Sequence, residues 1–150
     1  MAVTRMAGHL IRRLHQASTQ VFATHMQQQG LDLTPVQFAA LDAIRATPGA
    51  DQAGIAARIA YDRATIGGVI DRLEKKGLVM RTVSARDKRA REVSLSGEGQ
   101  LLMSRLYPVV EALQADILHG LSEAEKQQFL ALASKALRGF DREPQTDRPG

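Results

Sequence analysis

Cationic side chains concentrate in one short stretch of this sequence, SARDKRARE, at residues 84–92. An arginine guanidinium presents several N–H donors in one plane and pairs well with phosphates and carboxylates, so such a cluster can bind an anionic partner. The alternative is a solvated turn that contacts nothing. The charged residues are Arg86, Asp87, Lys88, Arg89, Arg91 and Glu92.

A second group of possible ligand-binding side chains lies near the N-terminus, in GHLIRRLHQ. His9, Arg13 and His15 combine cationic and hydrogen-bonding groups, which together can hold the carboxylate of a small aromatic acid. Surface charge on a helix that buries its other side is the competing interpretation. The four histidines form no HExxH motif and no tight pair, so we expect neither a metal site nor a cofactor.

Composition narrows the possible classes of function. The formal net charge of +4 permits a nucleic-acid partner without requiring one, and the absence of cysteine excludes disulfides, thiol catalysis and Cys-ligated zinc. Motifs such as Gly-x-Ser-x-Gly, Ser-x-x-Lys and the phosphate-binding glycine loop are missing. No apolar run approaches the roughly 20 residues of a membrane span. We therefore expect a cytoplasmic protein that is not an enzyme and has no membrane partner.

Helical periodicity dominates the chain, and capping signals mark several of its boundaries. Thr34, Pro35 and Gln37 form a capping box with proline at the first helical position, and Ser122 with Glu125 forms another. The pattern predicts helices beginning near Met6, Pro35, Asp51, Arg63, Gly97 and Glu123.

Two strands interrupt the helices and flank the cationic cluster. LVMRTV and REVSLS carry the β-branched residues and alternation of a hairpin. The predicted fold is mainly α with a small β-hairpin wing: a winged helix-turn-helix lobe over about residues 34–96 and flanking helices over about 5–29 and 97–139. The tail, about residues 141–150, is polar and Pro-containing, and we expect it to be disordered.

The helix before the hairpin has the pattern of one that enters the major groove of DNA, where base edges can be distinguished. Its apolar residues recur at helical spacing and predict a buried face: Ile66, Val69, Ile70 and Leu73. Its first turn and outward side then present the candidate DNA-binding residues, which are Arg63, Thr65, Gly67, Gly68 and Arg72. Arginine from the adjacent hairpin can enter the narrower minor groove.

These stretches resemble the MarR-type (multiple antibiotic resistance regulator) winged-helix transcription regulators. The resemblance lies in LTPVQFAALDAI, DRATIGGVIDRLEKKGLVMR and DKRAREVSLSGEGQ, which span about residues 33–100. It implies a homodimer formed by the flanking helices, with Asp87 bracing the wing and Arg89 entering the minor groove. Arg86, Lys88 and Arg91 are then expected to contact phosphates or remain solvated. RRLHQ resembles a branch of the family that controls breakdown of aromatic acids, including nicotinate-pathway regulators.

One departure concerns Gly67 and Gly68, because many family members carry hydroxyl or basic side chains at these outward positions. Two glycines inside a helix cost on the order of 1 kcal/mol each relative to alanine. Close approach of the helix backbone to DNA or to another helix would explain them, and relaxed constraint is the alternative. In either case, base recognition is expected to depend more heavily on Arg63, Thr65 and Arg72 than is usual in the family.

The sequence thus predicts a homodimeric regulator of transcription, a repressor that binds a pseudo-palindromic double-stranded operator and is relieved by a small aromatic carboxylate. A DNA-binding regulator without a small-molecule effector is the first alternative. A helical enzyme or adaptor that uses its basic patch to bind an acidic protein is the alternative from another class.

Overall fold

The computed structural model describes residues 2–87 and 89–141. A short 3₁₀ turn, Val3–Arg5, precedes the helices α1 (Ala7–Gln28), α2 (Pro35–Ala46), α3 (Gln52–Arg58) and α4 (Arg63–Lys75). Strands β1 (Val79–Val83) and β2 (Arg91–Leu95) form an antiparallel hairpin, and helices α5 (Gly97–Ile117) and α6 (Glu123–Asp141) follow. The predicted order of helices and hairpin is confirmed, as is the mainly α winged-helix fold. Lys88 and residues 142–150, most of the expected tail, lie outside the described residues.

The capping signals work as the sequence indicates. Thr34 Oγ1 accepts from Gln37 N–H at 3.2 Å, and Gln37 Oε1 accepts from Thr34 N–H at 3.1 Å. At the start of α6, Ser122 Oγ accepts from Glu125 N–H, and Glu125 accepts in return from Ser122 N–H. Hydrogen bonds to the carboxylate from the backbone N–H of Ser122, and then from its side chain, lower the pKa of Glu125, since they favour the ionised form.

The chain forms two compact units, with the division between Leu113 and Gln114. The first contains α1 to α4, the hairpin and most of α5. Its core joins the helix-turn-helix to the base of the hairpin through fully or almost fully buried side chains, among them Leu41, Ile55, Ile66, Ile70, Leu73, Val93 and Leu106. The second unit contains the end of α5 and α6, and α6 has no buried residue.

The turn between α3 and α4 depends on one residue in the left-handed region. Ala60 has a φ of 53°, and Tyr61 N–H donates to Ala56 O at 2.8 Å, which closes the end of α3. Asp62 then caps α4 by accepting from Ala64 N–H at 3.1 Å. This tight connection fixes where α4 begins.

The start of α5 is packed against the start of the hairpin. Ser96 N–H donates to Leu78 O at 3.0 Å, and Ser96 Oγ accepts from Gly99 N–H at 3.0 Å. Gly99 is buried so closely on Leu78 that a Cβ there would overlap the Leu78 carbonyl oxygen and lie 3.1 Å from its carbonyl carbon. Glycine is therefore required at position 99 by close backbone contact.

Candidate nucleic-acid interface

Helix α4 buries one face completely and leaves the opposite face exposed. Ile66, Val69, Ile70 and Leu73 are at most 5% exposed, so the predicted inward face is confirmed. At about 100° per residue, Ala64, Gly68, Asp71 and Lys75 form the central stripe of the opposite face. Arg63 and Arg72 lie at its two margins and at opposite ends of the helix. Thr65 is exposed, and its Oγ1 donates to Asp62 O at 3.2 Å.

The two glycines of α4 differ in their surroundings. Gly68 is exposed, and a Cβ built there would have no atom within 4 Å. A Cβ at Gly67 would lie 3.4 Å from Gln52 Nε2, an ordinary van der Waals distance. Neither position has a positive φ. The described part of the chain therefore gives no steric reason for glycine at either position.

The turn of the wing is organised by its own side chains. Ser84 Oγ accepts from Arg86 N–H at 3.2 Å and donates to Glu92 Oε1 at 3.3 Å. Asp87 Oδ1 accepts from Arg89 N–H at 2.9 Å, which holds the backbone beside the arginine. Ser84 is buried, whereas the side chains of Arg86 and Arg89 are exposed. The turn thus has an internal scaffold, while Arg86 and Arg89 face solvent.

A cationic cleft of about 380 Å³ lies between α3, α4 and the wing. Its lining contributes three guanidinium side chains and one carboxylate, that of Asp51, which caps α3 by accepting from Gly54 N–H at 2.9 Å. The cleft is therefore suited to an anion. Its lining residues are Asp51, Gln52, Ala53, Arg63, Ile66, Arg89, Ala90 and Arg91.

The cleft brings together some of the predicted DNA-binding residues and leaves others apart. Arg63 from the helix and Arg89 from the wing line it together. Arg72 lies about half a turn around α4 from Arg63 and about 13 Å further along the axis. Arg91, expected to contact phosphate or remain solvated, also lines the cleft, and Gln52 joins it although it was not among the predicted site residues. The closeness of α3 to the wing could not be read from sequence spacing.

Arg81 is a further candidate residue that was not among those predicted from the sequence. Its guanidinium, 10% exposed, pairs with Asp71 at 2.6 Å and with Glu74 at 3.6 Å on α4. Its Nε and Nη2 also donate to Gln52 Oε1 on α3 at 3.0 and 2.7 Å. One feature of the sequence could have indicated this role. Arg81 occupies the position in the strand whose side chain points to the opposite face from those of its two exposed neighbours.

The three predicted effector-binding residues lie on α1, but not on one face. His9 is half-buried and its Nδ1 lies 3.2 Å from Arg12 Nη2, with Arg13 one turn away on the same side. His15 is about 120° around the helix from His9 and about 160° from Arg13. Within one chain, α1 therefore does not direct all three side chains into a common space.

Among residues 2–87 and 89–141, no group of three or more His, Asp or Glu side chains could hold a metal ion. No helix in these ranges is both long and apolar enough to cross a membrane.

Comparisons with known proteins agree on one family. The model of the MarR family matches residues 33–90. The transcriptional regulator HosA of Escherichia coli is 32% identical over 91% of this chain and 98% of its own length. The HTH-type transcriptional repressor NicR of Pseudomonas putida is 32% identical over 90% of this chain and 84% of its own length.

A solved structure extends the agreement to the fold. BpsR of Bordetella bronchiseptica, solved in a study of how 6-hydroxynicotinic acid regulates its DNA binding, has a TM-score of 0.83 and 27% identity to this chain. The match covers 96% of this chain and 99% of that one. The helix order, the hairpin, the outward face of α4 and the similarity to these regulators lead to one conclusion: the chain belongs to the MarR family of DNA-binding transcription regulators.

Proposed function

We propose that the protein is a homodimeric repressor whose α4 helices and wings bind the two halves of a pseudo-palindromic operator, and that a small aromatic acid relieves repression. The observation that carries the DNA-binding part is the cationic cleft, which lies between α3, the first turn of α4 and the wing. Phosphates of DNA supply the anion that this cleft suits. Two-fold symmetry would place the half-sites about one helical turn apart.

Exposed apolar side chains support the homodimer. Soluble chains rarely leave large apolar patches uncovered, so such patches commonly mark interfaces. The N-terminal half of α1 exposes Leu10, Ile11 and Leu14. Helix α6 exposes a further set, Leu130, Leu132, Leu137 and Phe140. A second copy of the chain is the partner for these side chains in our proposal.

An effector site formed across the dimer is consistent with the positions of the α1 residues. His9 and Arg13 can contact a carboxylate from one helix face, whereas His15 faces elsewhere and would contribute to the site of the other subunit. The regulation of BpsR by 6-hydroxynicotinic acid is a precedent for an aromatic carboxylate as the ligand. To act, the ligand must prefer the spacing of the DNA-binding lobes that does not fit the operator.

Selection of duplexes from random DNA, followed by titration of the selected sequence, tests the proposal. We expect one preferred, approximately palindromic sequence, a complex with two chains, and an affinity that falls steeply with added salt. Retention of no duplex above background would exclude the DNA-binding role. A panel of aromatic carboxylates added to the complex tests the effector, and affinity unchanged across the panel would favour the regulator without an effector.

Gly68→Ala is expected to stabilise the protein and weaken operator binding. Alanine should raise the free energy of unfolding by about 0.5–1 kcal/mol, because the added methyl meets no atom and favours the helix. The same methyl should hinder close approach of the α4 backbone to DNA and reduce affinity. Denaturant unfolding and fluorescence anisotropy with the operator measure the two effects.

The matched control for this change is Gly97→Ala, which adds a methyl at another exposed helix position with no atom within 4 Å. It lies outside α4 and should leave operator affinity unchanged. Equal or tighter operator binding by Gly68→Ala would show that Gly68 reflects relaxed constraint and not close contact with DNA.

Arg89→Ala is expected to weaken operator binding about tenfold or more at near-physiological salt, which corresponds to about 1.4 kcal/mol. The exposed side chain of Arg89 would no longer enter the minor groove. The dimer should remain intact, because Arg89 is not among the exposed apolar side chains of α1 and α6 that we propose for the dimer interface. Operator titration and analytical ultracentrifugation check the two parts. An unchanged dissociation constant would remove the wing-insertion claim.

A further inference from the structure

We propose that Arg81 is a positioning residue for DNA recognition: it fixes the wing to the recognition helix, so that both elements reach the operator in one arrangement. The inference rests on the DNA-binding function proposed above. Arg81 belongs to β1, and its guanidinium bonds to the two helices of the helix-turn-helix. Its side chain therefore joins the wing to both helices, in addition to the backbone hydrogen bond from Val93 N–H to Ala50 O just before α3.

All three nitrogens of the guanidinium have partners. Nη1 pairs with the carboxylates of Asp71 and Glu74, and Nε donates to the side-chain oxygen of Gln52. Nη2 donates to the same oxygen of Gln52 and, at 3.3 Å, to the backbone carbonyl of Gly67. A lysine has a single nitrogen and cannot reproduce this planar set of contacts.

Burial separates the role of Arg81 from that of a DNA-contacting arginine. Its side chain is 10% exposed, whereas those of its partners Asp71 and Glu74 are 58% and 46% exposed. The carboxylates also balance its charge, which leaves little to attract a phosphate. Arg81 thus affects DNA through the elements that it joins and not by contact.

Because of its position in the hairpin, Arg81 also restrains the wing tip relative to α4. Arg81 lies opposite Val93, which is fully buried, and two residues further along β1 the strand ends at Val83. Recognition surfaces must be held within about 0.5 Å and 10–20° of the productive geometry. Since the wing and α4 would engage adjacent grooves at once, loosening this joint should reduce specific binding more than general attraction to DNA.

Arg81→Lys tests the inference because it retains the charge but loses the planar donor set. Operator affinity is expected to fall about tenfold. Affinity for unrelated duplex should fall much less, and the slope of log affinity against log salt should stay unchanged, because no phosphate contact is lost. Both DNAs are titrated with full-length protein at a temperature at which circular dichroism shows the variant to be folded.

Arg45→Lys is the matched control, since Arg45 forms an ion pair with Asp42 at 2.7 Å within α2 and does not join α4 to the wing. It should leave the ratio of operator affinity to unrelated-duplex affinity unchanged.

If Arg81→Lys does not fold, Gln52→Leu is the alternative variant, because it removes the oxygen that accepts from both Nε and Nη2 of Arg81 without changing charge. If both variants fold, the double variant should lower the ratio of operator affinity to unrelated-duplex affinity by less, in free energy, than the sum of the two single changes. The reason is that both substitutions remove the same contact between Arg81 and Gln52.

The outcomes separate this inference from the function on which it rests. A wild-type protein that selects no operator would exclude both. A wild-type protein that binds its operator, with Arg81→Lys changing only thermal stability and leaving the affinity ratio intact, would overturn the positioning role alone. A salt slope reduced by about one would make Arg81 a phosphate contact instead.

Discussion

Gly99→Ala is expected to lower the free energy of unfolding by about 3 kcal/mol, the upper part of the range for overpacking a buried site. The new Cβ would overlap the carbonyl oxygen of Leu78, a backbone atom that cannot rotate away as a side chain can. Leu78 O also accepts from Ser96 N–H, so relieving the overlap would disturb the hydrogen bond between the hairpin and the start of α5. The predicted loss therefore combines steric strain with a weakened junction.

Chemical denaturation of the two single variants Gly99→Ala and Gly97→Ala measures this effect against a close control. Gly97 lies two residues earlier in α5, and a Cβ there would have no atom within 4 Å. We expect its substitution to change the free energy of unfolding by less than about 0.5 kcal/mol, as for most surface changes. Equal midpoints for the two variants would show that α5 is not packed on Leu78 in the way described.

Arg63→Ala is expected to reduce operator affinity by about 2–6 kcal/mol if Arg63 reads a guanine, because each base contact contributes about 1–3 kcal/mol and the proposed dimer has two copies. Arg63 lies in the first turn of α4 and lines the cationic cleft beside Arg89. The loss of sequence preference should be confined to the base pair that Arg63 reads in each half-site. Titration of the operator and of single-base variants of it, with wild type and Arg63→Ala, measures both affinity and preference.

A charge-matched control is Arg138→Ala, which removes an exposed arginine from α6 and should leave the sequence preference unchanged. If Arg63→Ala weakens binding equally on every duplex and lowers the salt slope by about one, Arg63 is a phosphate contact. If it changes neither affinity nor preference, Arg63 has no part in the interface.

Much of the fold was predictable because its signals are local. The capping box at Thr34 and Gln37 forms between residues three apart, and both of its hydrogen bonds are present. The buried face of α4 follows from helical spacing alone, and Asp62 caps that helix through a contact two residues along the chain. Family resemblance and the comparisons then assign the DNA-binding class. The predicted roles of individual residues on DNA, and the effector site, stay predictions.

What the sequence by itself determined, then, is the order of helices and strands, the inward face of α4 and the winged-helix family, since each depends on residues close together along the chain. Only the tertiary structure decided which distant residues meet. Gln52 and Arg91 line the same cleft as Arg63. Arg81 bonds to α3 and α4, and Gly99 packs closely against Leu78. These contacts arise when burial of the shared core packs the hairpin against the helices, and the spacing of residues along the chain does not record that packing.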